Sequence, residues 1–123
     1  MFDHVMINVS DKAKSKAFYV ATLKVLGIEM RLEEGPFIAF GPEGRYIFWL
    51  NQSEKSRATE RVHLALSADS RARVDNFYET GLAAGGRSNG EPGVRAQNGP
   101  NYYAAFILDP DGNNIEAVCY KEE

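Results

Sequence analysis

The 123-residue sequence has few of the residues that mark specialised classes of small protein. Its single cysteine, Cys119, cannot form an intrachain disulfide, which excludes a disulfide-stapled secreted domain. No apolar run approaches the roughly 20 residues of a membrane span, and the first residues lack the basic and apolar regions of a signal peptide. The net charge is −3, so no basic excess indicates nucleic acid. We therefore expect a cytoplasmic protein with no nucleic-acid and no membrane partner.

The composition is that of an ordinary globular domain. Apolar residues make up 44% and charged residues 25%, which argues against intrinsic disorder. A chain of this length buries enough surface to fold without a disulfide or a structural metal.

An internal repeat organises the chain. His4 and His63 are each followed by Phe-Tyr after 14 residues and by glycine after 23. A shift of 59 residues aligns 24 positions from His4 without a gap, and six are identical, whereas ordinary usage gives roughly one or two. The second half of each unit repeats at a shift of 68, where Gly-Pro-Glu-Gly at 41–44 resembles Asp-Pro-Asp-Gly at 109–112. The nine additional residues fall in the Gly- and Pro-rich stretch 86–101.

Each unit predicts the element order βαβββ. Strands are predicted over 3–9, 28–33, 36–40, 45–50, 62–68, 102–108 and 113–119, and helices over 11–26 and 70–84. The chain is then one domain, with module one at 1–50, a linker at 51–61 and module two at 62–123. We predict an α+β fold in which paired βαβββ modules form a cup-shaped mixed sheet with the helices outside. The cup is where a small molecule is expected to bind.

Three side chains are candidates for a metal site. His4 and His63 occupy equivalent positions of the two units, so pseudo-symmetry places them on equivalent faces. Glu116 lies within an apolar strand, where a carboxylate is costly unless it is paired, protonated or metal-bound. Two imidazoles and one carboxylate suit a divalent Zn, Mn, Fe, Ni or Co ion and leave positions open for substrate. The open alternative is two packed or surface histidines and an ion-paired glutamate.

Strand alternation predicts what else lines the cup. A four-residue turn places Leu108 opposite Asn113, which sets Ala105 opposite Glu116 and Tyr103 opposite Val118. The same rule sets Phe37 opposite Phe48, and it turns Trp49 and Tyr102 outward under a helix. The substrate-binding residues predicted in this way are Asn8, Phe37, Phe48, Ser67 and Asn114, and Arg95 in the Gly- and Pro-rich loop is predicted to reach an anionic substrate. Core packing for each aromatic residue, and a solvated loop position for Arg95, remain the alternatives.

These motifs together resemble the vicinal oxygen chelate superfamily, which includes glyoxalase I, bleomycin-resistance proteins, extradiol dioxygenases and fosfomycin-resistance enzymes. The resemblance covers nearly the whole chain. It is carried by the two histidines, by Phe-Tyr at 18–19 and at 77–78, and most specifically by Asp-Pro-Asp-Gly-Asn-Asn-Ile-Glu at 109–116. Within the superfamily, the chain resembles small bacterial proteins of the glyoxalase family.

The resemblance implies a divalent metal bound by the first, fourth, fifth and eighth strands. By position these ligands are His4, Phe48, His63 and Glu116. Because Phe48 cannot ligate, the pattern is similar to the three-ligand sites of extradiol dioxygenases and fosfomycin-resistance enzymes rather than to glyoxalase I. A homodimer is implied as well, and each cup is built either within one chain or from one module of each of two chains.

The resemblance leaves the activity open among several classes. The first is metal-dependent lyase, isomerase or transferase chemistry on a small oxygenated metabolite, in which Glu116 would act at the metal. An extradiol-type dioxygenase ranks lower, because it needs a further acid or base and there is no third histidine. Tyr103 or Tyr46 would have to serve in that role. The alternatives are a metal-free cup that sequesters a drug, as in bleomycin-resistance proteins, and an intact but vestigial site.

Overall fold

The computed structural model describes residues 2–54 and 61–123, and it contains two βαβββ modules. Module one comprises β1 (Val5–Val9), α1 (Lys12–Val25), β2 (Glu29–Glu34), β3 (Phe37–Gly41) and β4 (Phe48–Gln52). Module two comprises β5 (His63–Ser67), α2 (Arg71–Ala83), β6 (Arg87–Val94), β7 (Tyr103–Leu108) and β8 (Asn114–Cys119). The α+β class and the paired modules predicted from the sequence are confirmed. Strand β4 extends to Gln52, so the predicted linker 51–61 begins inside a strand, and its residues 55–60 lie outside the described chain.

The two sheets have the same strand order. Sheet A is ordered β1-β4-β3-β2 and sheet B is ordered β5-β8-β7-β6, with the first pair of each parallel and the others antiparallel. Strand β6 lies at an edge, which is where a strand tolerates the Pro92 it contains. The repeat in the sequence is therefore a repeat in the structure.

Both helices begin after a residue whose side chain caps the first turn. The Asp11 carboxylate accepts a hydrogen bond from the Lys14 N–H at 3.1 Å, and the Ser70 hydroxyl accepts one from the Arg73 N–H at 3.1 Å. Such side chains satisfy amide groups that the first helical turn leaves unpaired. None of the described helices is long and apolar enough to cross a bilayer.

The helix-bearing faces of both sheets share one hydrophobic core. Phe18 of α1 and Ile107 of β7 are both fully buried in it, and α1 packs against α2. Gly86 lies against both of these side chains. A Cβ atom at this position would come within 2.5 Å of Ile107 and 2.6 Å of Phe18, so only glycine fits there. The modules are thus joined through their helix sides, and the opposite faces of the two sheets look away from the shared core.

A buried hydrogen bond also ties the modules together. The Tyr19 hydroxyl on α1 donates to Asp109 Oδ2 in the β7–β8 turn at 2.5 Å. Burial, and next the Asp109 carboxylate, raise the pKa of Tyr19 well above its usual value. The neutral phenol therefore belongs to the folded state.

Because of this raised pKa, we expect the stability of the protein to depend on pH in the alkaline range. A pKa raised by folding contributes stability that is complete below the unfolded value of about 10 and is lost as the pH rises above it. We expect the free energy of unfolding of the wild type to fall more steeply above pH ~10 than that of Tyr19→Phe. Urea unfolding between neutral pH and pH ~11 measures this, and parallel slopes would contradict it.

The strand register observed in both hairpins differs from the predicted one. Leu108 pairs with Asn114, because Asn113 is held inside the turn by the Asp109 carboxylate, which accepts hydrogen bonds from its N–H at 2.8 Å and its side-chain amide at 3.0 Å. In module one Phe40 pairs with Phe48, and the equivalent pair in module two is Ile107 with Ile115. The two pairs are related by a shift of 67 residues. The shift of 68 taken from the similar turn sequences is therefore wrong by one residue in these strands.

Candidate functional site

The centre of the candidate site is a histidine–glutamate pair on sheet B. His63 Nε2 lies 2.8 Å from Glu116 Oε1. The Glu116 side chain is only 2% exposed, although it lies on the face opposite the shared core, while the His63 side chain is 55% exposed. A carboxylate so far removed from water requires a partner, and the imidazole provides one that remains accessible from outside.

The second oxygen of Glu116 is also occupied. Oε2 accepts a hydrogen bond from the Tyr102 hydroxyl, and this contact, followed by burial, raises the pKa of Tyr102 to about 12. The phenol therefore keeps its proton at neutral pH and acts as a donor.

The structure reverses the predicted faces of Tyr102 and Tyr103, of which Tyr103 was expected on the face of Glu116 and Tyr102 under a helix. Tyr103 pairs with Cys119 and points to the helix side, where its hydroxyl donates to Asp75 Oδ1 at 2.6 Å. That hydrogen bond is the first cause that raises the pKa of Tyr103. A one-residue change in register moves every side chain of a strand to the other face. Tyr103 is thereby removed from the candidate site, and Tyr102 enters it.

The same change alters the neighbour of Glu116. Phe106 pairs with Glu116, where Ala105 was predicted. The Arg95 guanidinium lies over the Phe106 ring, 5.3 Å from its centroid, which is within the range of a cation–π contact. Its nitrogens donate to the carbonyl oxygens of Gly93 and Glu91 at 2.9 and 2.6 Å. Arg95 is thus fixed on the Glu116 face of sheet B, where it was predicted to contact substrate.

Asn114 lies beside the pair. It is the register partner of His63 on β5, so the two side chains share a face. Its Oδ1 is buried and has no hydrogen-bond partner among residues 2–54 and 61–123. An unsatisfied buried acceptor is costly, which makes this oxygen a candidate to receive a hydrogen bond from a ligand.

On sheet A the register places Trp49 where sheet B has Glu116. Met6 pairs with Trp49, as Ala65 pairs with Glu116. Phe48 points instead to the helix side, where its ring lies 5.2 Å from that of Tyr19. The Phe48 side chain therefore belongs to the core rather than to the face of Trp49, and it also lines the cavity of about 240 Å³ that His4 borders. The indole that replaces it has no lone pair available for a metal, so the fourth ligand position still lacks a ligand.

A row of aromatic rings follows from this arrangement. The Trp49 ring lies 6.2 Å from the ring of Phe37 and 5.9 Å from that of Tyr46. Phe37 pairs with Asn51 rather than with Phe48, but it keeps its predicted face. Trp49 and Tyr46 line a cavity of about 390 Å³ together with His4. Tyr46 thus lies beside His4 in this cavity, while Phe37 lies farther along the same face, next to Trp49.

His4 precedes β1 and is accessible. Its side chain is 53% exposed, and its Nδ1 lies 2.6 Å from Asp3 Oδ1. This contact is the main cause that lowers the pKa of Asp3. The other ring nitrogen, Nε2, is left for a further interaction.

The single chain does not bring His4 to the His63–Glu116 pair. His4 borders a second cavity, of about 240 Å³, with Leu64 and Leu66, and these residues alternate with His63 on β5 and point to its other side. Among the residues that the structure describes, no group of three or more His, Cys, Asp or Glu side chains is arranged to hold a metal ion. One chain therefore presents two half-sites, one on each sheet.

The two remaining predicted residues lie near these half-sites. Ser67 is exposed on β5, on the face of His63. Asn8 is exposed on β1, on the face of Trp49, and its Oδ1 accepts a hydrogen bond from Asn51 Nδ2 at 3.1 Å. The sequence-based prediction missed three residues of the candidate site, Tyr102, Phe106 and Trp49. The length of the hairpin turns, which sets the face of each strand residue, is the feature that could have identified them.

A family comparison agrees with this architecture. The model of the Glyoxalase/Bleomycin resistance protein/Dioxygenase superfamily matches residues 1–117. Two four-stranded βαβββ modules with a histidine at the start of each first strand fit that assignment. The chain belongs to this superfamily.

Individual relatives are similar along most of their length. The lactoylglutathione lyase of Escherichia coli O157:H7 is 31% identical over 134 residues, which cover 97% of this chain and 92% of that protein. The crystal structure of a glyoxalase/bleomycin resistance protein from Albidiferax ferrireducens T118 is 30% identical with a TM-score of 0.82, and the match covers 98% of this chain and 99% of that one. A fosfomycin resistance protein from Listeria monocytogenes is 20% identical with a TM-score of 0.73, over 98% and 93% of the chains, and shares the fold.

Proposed function

We propose that this protein is a divalent-metal-dependent enzyme that acts on a small oxygenated molecule by lyase, isomerase or transferase chemistry. The observation that carries the proposal is the buried Glu116 carboxylate, held 2.8 Å from an accessible imidazole. One carboxylate oxygen and imidazole nitrogens form a donor set that suits Zn, Mn, Fe, Ni or Co. A divalent ion bound there supplies a Lewis acid for the oxygen atoms of a substrate.

His4 would complete the ligand set from a second copy of this chain. The face of sheet B that carries His63 and the face of sheet A that carries Trp49 both look away from the shared core, and both are partly exposed. In a two-fold dimer, sheet A of each copy can cover sheet B of the other, which closes two identical cups. His4 of one copy would then meet His63 and Glu116 of the other.

The remaining residues of the half-sites would bind and orient the substrate. Trp49 and Tyr46 offer aromatic faces for its apolar part. Asn114 Oδ1 offers an unpartnered acceptor, and Arg95 offers a fixed positive charge for an anionic group. The lyase named among the relatives favours this class of reaction over dioxygenation.

Metal analysis of protein purified without chelator tests the proposal. We expect wild type to retain about one divalent ion per chain and His63→Ala to retain none, because the variant loses one of three ligands. Ser67→Ala is the matched control, since it alters the same face of β5, four residue pairs from the His63–Asn114 pair. Equal metal content in wild type and His63→Ala would contradict the metal site.

A metal-free binding protein is the second candidate, and the aromatic row on sheet A favours it. Three adjacent rings beside a cavity of about 390 Å³ can bind an apolar ligand without any metal. Thermal shifts with a panel of small molecules, with and without chelator, separate the two functions. A ligand that raises the Tm only when metal is present supports the enzyme, and one that acts equally in chelator supports the binding protein.

A further inference from the structure

Glu116 is held at both of its oxygens, and each contact comes from a different element. Oε1 faces His63 Nε2 on β5 at 2.8 Å, while Oε2 accepts the proton of the Tyr102 hydroxyl from the segment that leads into β7. A carboxylate bonded at one oxygen alone can rotate about its last torsion, which is broad and roughly two-fold. The second contact removes that freedom.

We propose that Tyr102 is the positioning residue of the candidate site, holding the Glu116 carboxylate so that Oε1 is presented beside His63. This inference rests on the proposed function. Carboxylate ligands of metal sites are themselves hydrogen-bonded, and loss of such a partner typically weakens metal binding 10–100-fold. Because Oε2 is taken by the phenol, Oε1 is the oxygen left to serve as ligand with the imidazole.

Tyr102 is itself rigid enough for this role. Its carbonyl oxygen accepts a hydrogen bond from the Arg95 N–H at 2.7 Å, and its own N–H donates to the carbonyl of Gly99 at 3.3 Å. Its ring packs edge-on against Tyr120, with the ring centroids 5.2 Å apart. Both the ring and the backbone of Tyr102 are therefore held in position, and its backbone is hydrogen-bonded to that of Arg95.

The neighbouring residue offers a matched control. Tyr103 also donates its hydroxyl to a carboxylate, that of Asp75, but on the helix side of the sheet. Tyr102→Phe and Tyr103→Phe each remove one phenolic oxygen and one hydrogen bond to an acid while keeping the ring. Only the first change touches Glu116.

Cobalt titration of wild type, Tyr102→Phe, Tyr103→Phe and His63→Ala tests the inference. We expect Tyr102→Phe to bind Co²⁺ roughly 10–100-fold more weakly than wild type and to shift the visible absorption of the bound ion, since the carboxylate is no longer fixed. Tyr103→Phe should match wild type in both readouts. A role confined to stability would leave the cobalt spectrum of Tyr102→Phe unchanged.

The outcomes distinguish this inference from the function on which it rests. If wild type binds Co²⁺, His63→Ala does not, and Tyr102→Phe matches wild type in affinity and spectrum, the role of Tyr102 is overturned while the metal site stands. If wild type binds Co²⁺ no better than His63→Ala, both are overturned.

Discussion

Replacing Asp109 by alanine is expected to destabilise the protein by about 3–5 kcal/mol, because each buried donor left without a partner costs about 1–3 kcal/mol. The Asp109 side chain is 1% exposed. It accepts hydrogen bonds from the Tyr19 hydroxyl, from the N–H groups of Asp111 and Asn113, and from the Asn113 side-chain amide. Loss of the carboxylate releases both the turn and the contact between the modules.

Asp111 provides the control for this prediction. It lies in the same turn and accepts the Ser10 N–H at 3.0 and 3.2 Å, but at an exposed position where water can replace it. We expect Asp111→Ala to cost under about 1 kcal/mol. Urea unfolding at matched protein concentration measures both variants, and equal midpoints for the two would show that the buried carboxylate is not the link described above.

The repeat allowed much of the fold to be predicted from the sequence. The spacing of His4 and His63, with Phe-Tyr and glycine at matching distances, indicated two copies of one module, and periodicity indicated the elements in each. These features depend on local propensity and on burial within one module. They are therefore visible without knowledge of how the modules meet.

The faces of two strands could not be assigned from the similarity of the turn motifs. Matching the two Pro-containing turns residue by residue gave a shift of 68, while the strands that follow are related by 67. The two loops have equal length, with seven residues between Phe40 and Phe48 and seven between Ile107 and Ile115, so the similar turn sequences lie one residue apart within them. This offset exchanged Phe48 for Trp49, and Asn113, which the Asp109 carboxylate holds in the turn, exchanged Tyr103 for Tyr102, since side chains alternate along a strand.

The joining of the modules through their helices was also beyond the sequence. Whether a cup forms within one chain or between two depends on which pair of faces packs together, and both faces of each sheet carry apolar side chains. Within one chain α1 packs on α2, and the half-sites look outward. The proposed cup between two copies follows from that geometry.

The second large effect concerns His4, which lies away from the other candidate ligands in one chain. We expect His4→Ala to weaken metal binding as severely as His63→Ala, by more than about 100-fold, because even a partner outside the ligand set contributes 10–100-fold. The metal dissociation constant of each variant, measured by competition with a chelating indicator, checks this. Wild-type affinity in His4→Ala would remove this residue from the site.

A heterodimer of the two variants tests the central claim most directly. His4→Ala and His63→Ala chains carrying different affinity tags would be co-expressed and purified through both tags, so that each dimer holds one copy of each. If every site takes His4 from one copy and His63 and Glu116 from the other, one of the two sites keeps both histidines and the other keeps neither. The account predicts one tightly bound divalent ion per heterodimer and none in either variant alone. A heterodimer as empty as its parents would contradict it.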